Sequence, residues 1–81
     1  MKNISIYDNG GKTVDRITVI FNDRKRVTKD GILYECIAAS EKGNGFYLHS
    51  EAMKSKHLGK KIDFSKLSLP LQNKLLIELN K

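Results

Sequence analysis

Four sets of side chains in this sequence are of types that can do chemistry. His49 and His57 are the only histidines, eight positions apart with Glu51 between them, and imidazole with carboxylate is a metal-donor set. Zinc usually takes three or four protein ligands at short spacings, so a plainer reading stands beside it: one ring in a local hydrogen bond and one exposed. Cys36, Ser40, Ser50 and His49 supply nucleophile and base types. No G-x-S-x-G elbow surrounds either serine, and Cys36 sits in an apolar run, where a thiol is buried, protonated and inert. Asp8, Asp15, Asp23 and Asp30 could furnish paired carboxylates. Three of them lie in turn-type segments, where Asp bonds the backbone, and Asp15 directly precedes a strand. These patterns predict no enzyme, no metal site and no cofactor.

The fourth set is basic. Arg24, Lys25, Arg26 and Lys29 fall in one polar segment, and Lys54, Lys56, Lys60 and Lys61 in another. The formal charge of +6 favours contact with polyanions, a statement about association and not about fold. The clusters are either a solvated surface or patches that meet phosphates or an acidic protein surface. Tyr34, Phe46 and Tyr47 could stack bases if exposed. Against nucleic acid, no helix-turn-helix, zinc-finger or basic recognition-helix pattern is present.

Residues 6–16, IYDNGGKTVDR, pose a narrower question: phosphate loop or hairpin turn. A phosphate loop needs G-x-x-x-x-G-K-[ST] or G-x-G-x-x-G opening a helix. Here the glycines lead into a β-branched strand, without the first glycine of either motif. Asp8, Asn9, Gly10 and Gly11 therefore read as a structural turn, with positive φ at a glycine and Asp8 bonding the backbone ahead of it.

The elements that must position these groups follow from periodicity. ISIY (4–7) and RITVIF (16–21) alternate as strands, and ILYECIAA (32–39) is apolar on both faces, as a central strand is. NDRKRVTKDG (22–31), SEKGNG (40–45) and KSKHLGKK (54–61) read as loops and turns, with Asp30-Gly31 a turn signal. GFYLHS (45–50) is a returning strand or, as FYLHSEAMKS, the start of a short helix. KIDF (61–64) is strand-like. Ser68 suits an N-cap, Pro70 the first turn, and Leu71, Leu75 and Leu79 repeat along one stripe that Leu76 widens. Together these predict one small α+β domain over residues 1–81: an antiparallel sheet of three to five strands built from hairpins, with a C-terminal helix packed on one face.

Eighty-one residues support a single core. With no tryptophan that core must be aliphatic, and with one cysteine it holds no internal disulfide. No apolar run approaches the roughly 18 residues of a membrane span, and no apolar signal region is visible near the N-terminus. The expectation is a soluble cytoplasmic protein.

IYDNGGKTVDRITVIF, AASEKGNGFYLHSEA and KHLGKKIDFSKLSLPLQNKLL, in that order, resemble a family of small uncharacterised proteins of bacteriophages, prophages and scattered bacterial genomes. That family opens on D-N-G-G-x-T-x-D-R-Y-T-V and closes on H-L-G-K-x-I-x-F-x-x-L-P and a helix. Ile17 stands here in place of its Tyr, and Glu41-Lys42-Gly43 in place of a proline-bearing loop. The resemblance implies a phage or mobile-element setting and transfers no catalytic residues. The function expected is therefore an accessory protein that binds a host or phage protein. The alternative is a small basic nucleic-acid-binding module acting through phosphate contacts.

Overall fold

Where apolar residues alternate, the chain extends, because alternation lets one strand face bury while the other stays polar. The computed structural model describes residues 3–40 and 47–80. Among them are five strands: β1 (Ile4–Asp8), β2 (Ile17–Thr28), β3 (Gly31–Ala39), β4 (Tyr47–Ala52) and β5 (Lys60–Ile62). They form one antiparallel sheet in the order β4-β3-β2-β1-β5. The helix α1 (Leu69–Leu79) follows, so the fold is the expected α+β, with the strand number at the top of its range. Among the described residues no helix is long and apolar enough to cross a membrane.

One sheet face carries the main core. Ile4, Ile6, Ile17, Val19, Phe21, Ile37 and Ala39 pack against Leu67, Leu71 and Leu75. Leu71 and Leu75 dock α1 as its spacing predicts. Leu76 does not widen the stripe: it lies about 100° round the helix from Leu75 and is exposed, while Glu78 takes the inward position. Ser68 and Pro70 stand where the sequence places them, but the Ser68 hydroxyl makes no capping bond and is buried without a partner. The Gln72 side-chain amide donates to the Leu67 carbonyl at 2.9 Å and ties the first turn of the helix to the segment before it.

The opposite face buries less: Ile20, Cys36 and Leu58, with Tyr7, Tyr34 and Ala52 packed against them. Leu58 arrives there because β4 and β5 occupy opposite edges of the sheet. Residues 53–59 must cross four inter-strand spacings of about 4.8 Å, and each residue reaches only about 3.3–3.6 Å. This connection is a nearly taut strap, with a 3-10 turn at Lys56–Leu58 that presses Leu58 onto the sheet.

Three expectations about connections are corrected. Residues 22–28, read as a loop, continue β2 as far as Thr28, so Asp23 is in a strand and only Lys29-Asp30 form the turn. Gly31 takes φ +137° there, and the Thr28 hydroxyl donates to its carbonyl at 2.8 Å. Lys60, read as loop, belongs to β5, which includes Lys61 and Ile62 of the strand-like KIDF but ends at Ile62, and Phe64 opens a second 3-10 turn (Phe64–Lys66). The β1–β2 connection spans residues 9–16, longer than a tight turn, although Gly10 and Gly11 have φ of +78° and +88° as expected. The strand reading of 45–50 is met by β4, while the turn expected at 41–45 and the side chains of Phe46 and Tyr47 lie outside the described residues.

Candidate interaction surface

Directly paired residues on neighbouring antiparallel strands point to the same face, so register decides where each charge goes. Ile20 pairs with Cys36, and the next described pair is Lys25 with Tyr34. Four residues of β2 thus stand against one of β3, a bulge that re-aims the chain. Beyond it the basic run divides. Lys25 shares the strap face with Tyr34, whereas Arg24 and Arg26 turn to the helix face.

There both arginines have partners. The Arg24 guanidinium lies 4.4 Å from the centre of the Phe21 ring and 3.8 Å from Glu35, and it donates to the Glu78 carbonyl at 3.4 Å, near the C-terminal end of α1. Arg26 donates twice to Glu51, at 2.8 and 3.0 Å. That pairing raises the Arg26 pKa and holds the Glu51 carboxyl below its ordinary value, though both groups face solvent and such pairs contribute little. Neither arginine is a bare cation waiting for phosphate.

The second basic cluster also divides. The Lys54 ammonium sits 4.7 Å from the Tyr34 ring centre, which places it beside Lys25. Lys56 lies on the strap's 3-10 turn and Lys60 pairs with Asp8 at the far end of β1. Lys61 pairs with Tyr7 on the outermost strand. The row through Asp8, Ile17 and Ala39 stands six β3 positions from Leu33, the partner of Arg26. That is about 20 Å along the strands. The clusters seen in sequence do not merge as blocks: Lys25 and Lys54 meet at the β2–β3 end, where Lys29 also lies, and Lys56 and Lys60 gather at the other. Lys29 sits in the exposed turn between β2 and β3.

At that first end the β2–β3 hairpin continues past Tyr34, the last β3 residue that β4 reaches, as a two-stranded arm. Val27 and Ile32 pair directly on its strap face and are 80 % and 38 % exposed. Met53, 39 % exposed, opens the strap, its side-chain end filling the space where a Cβ on Gly31, the end of the hairpin turn, would stand. The arm therefore shows an exposed apolar pair and also bears Lys25 and Lys29. Sequence reasoning missed Val27, Ile32 and Met53. The available signal was two β-branched residues flanking the four-residue turn Thr28–Gly31.

The two histidines lie apart, whereas Cys36 pairs directly with Ser50, next to His49 and Glu51. His49 pairs with Ile37 on the helix face, its Nε2 3.6 Å from a carboxylate oxygen of the buried Glu78. His57 lies on the strap across the sheet, its Nδ1 2.5 Å from the Ser55 hydroxyl. Cys36 is buried beneath Leu58, and burial pushes its thiol pKa up, away from the thiolate. Asp8 is bound to Arg16 Nε at 2.6 Å and accepts the Gly10 N–H at 2.8 Å, which together hold its carboxyl below the ordinary value. Asn9 accepts the N–H groups of Gly11 and Lys12 at 2.9 and 3.1 Å. The turn thus spends these backbone donors on its own side chains, which a phosphate loop does not do.

Comparison with known protein families, curated proteins and solved structures finds no match to this chain.

Proposed function

We propose that this chain is a non-enzymatic accessory protein of a phage or mobile element, acting in the cytoplasm by binding a host or phage protein through the β2–β3 arm. One observation carries the reading: an exposed apolar cross-strand pair, Val27 and Ile32, on an arm that also bears lysines. An apolar centre inside a polar rim is the anatomy of a protein interface. The lysines are cationic, so the complementary partner surface is an apolar cleft with acidic margins. The apolar residues supply the affinity and the lysines mainly speed encounter. Nucleic acid is less well supported, because Arg24 and Arg26 are held by Glu35 and Glu51.

A photo-crosslinking side chain at position 27, compared with one at the equally exposed Leu69 on the helix, tests the site. The expected result is one protein cross-linked from position 27 only, with Val27→Asp weakening its binding at least about tenfold. Equal capture from both positions, or binding unchanged by Val27→Asp, removes the arm from the interface. A duplex or single strand bound at physiological salt would favour the nucleic-acid reading instead.

A further inference from the structure

The far end of the sheet, away from the arm, holds a concavity of about 560 Å³ lined by Lys12, Arg16, Lys56 and Lys60 together with Asp8 and Gly59 among others. We propose that it is a binding site for a free small molecule carrying a di- or triphosphate group. The assignment is independent of the protein-docking reading, because none of these residues belongs to the arm.

Three segments distant in sequence build the site. The β1–β2 turn brings Lys12, whose backbone N–H is fixed by Asn9. The strap brings Lys56, held by the Gly59 N–H bonded to the Lys56 carbonyl at 3.1 Å. β5 brings Lys60, fixed by pairing with Asp8. Gly59, at φ +94°, presses so closely on the Asp8 carbonyl and the Asn9 backbone that any side chain there would collide with them. The walls are therefore preformed, which spares a ligand the entropy of assembling them. The volume lies within the roughly 300–1,000 Å³ range of small-molecule clefts.

Charge selects the ligand class. Four cationic residues line the concavity against one carboxylate, and that carboxylate is already engaged by Arg16. Lys12, Lys56 and Lys60 make no ion pair among the described residues, so three ammonium groups remain to meet more than one negative charge. The backbone donors of the turn are used internally, so recognition falls to these mobile point charges. Lysine binds phosphate in that way, without the planar geometry that arginine demands.

The test is an amide-resolved titration of the full chain with inorganic pyrophosphate and tripolyphosphate, with monovalent chloride as the competing salt. Saturable shifts confined to Gly10, Lys12, Gly59 and Lys60 are expected. The double variant Lys56→Gln, Lys60→Gln should weaken binding at least about tenfold. Lys74→Gln, which removes one positive charge from the helix, should leave it unchanged, and so should Val27→Asp. All are exposed or half-exposed positions, and each variant's melting curve confirms that it is folded. Absence of shifts at low salt overturns the site, as does a response that Lys74→Gln weakens equally. A 5′-phosphorylated single strand that binds more tightly than pyrophosphate overturns the assignment to a free small molecule.

Discussion

The two faces of one sheet have been treated differently. Among the described residues the helix face buries ten apolar side chains and pairs two cations, Arg24 with Glu35 and Arg26 with Glu51. The strap face buries three, is closed mainly by Leu58, and leaves Lys25, Lys54 and Lys56 without an ion pair among the described residues. Because strand side chains alternate, three consecutive cations need not form one patch. Stability is concentrated on one face and exposed charge on the other.

The largest effects should come from the helix face. Leu75→Ala is expected to cost roughly 2–5 kcal/mol, because the residue is fully buried between α1 and the sheet. In so small a domain that approaches the whole stability. Leu58→Ala should fall near the lower end of the same range, since the strap can settle or admit water. Denaturant unfolding of both variants checks this, and a Leu58 loss equal to that of Leu75 would break the contrast between faces.

Glycines sharpen it next. Gly59→Ala combines a positive φ with collision against the Asp8 carbonyl, so more than about 2 kcal/mol should be lost. Gly10 has a similar φ, but an added Cβ meets nothing within 4 Å, and Gly10→Ala should cost about 1 kcal/mol. Equal thermal shifts for the two would mean that the strap end does not rest on the turn.

Acidification probes the far end. The Asp8 carboxyl is held below its ordinary value of 3.8 in the fold, chiefly by its hydrogen bond to Arg16. Its stabilisation is full above that value and is lost as pH falls through the lower folded value. Asp8→Asn should therefore flatten part of the acid limb in melting curves taken below about pH 4. An unchanged limb would remove the pair from the stability of the turn. The smallest effect is expected for Arg26→Gln: both partners face solvent, and the melting midpoint should not move measurably.

Strands were legible where one side is buried. Ile4 and Ile6, and then Ile17, Val19 and Phe21, announce their inward face, and Leu71 and Leu75 do the same for the helix. Asn22 to Thr28 were not legible as strand, because the arm is largely solvated on both sides and no alternation distinguishes it from a loop. Leu76 misled because apolar type says nothing about angle round a helix. The basic residues were easily named, but their grouping was hidden: it depends on a bulge at residues 21–24 and on a strap whose path sequence does not state. Ile32 read as part of a buried strand and Val27 as loop, and both proved to be exposed strand residues.

The strap also bears on the order of assembly. β1 to β4 are successive neighbours in the sheet, so each can pair with the strand just before it across a short closing loop. β5 instead completes β1 through pairs such as Ile6 with Ile62, more than fifty residues apart, once the strap has crossed the sheet. Contacts of such separation form late, since the entropy of closing the intervening chain precedes any gain. Ile62→Ala should accordingly speed unfolding and leave the refolding rate nearly unchanged in stopped-flow traces. The concavity at the turn, which needs Lys60, would be the last part of the surface to exist.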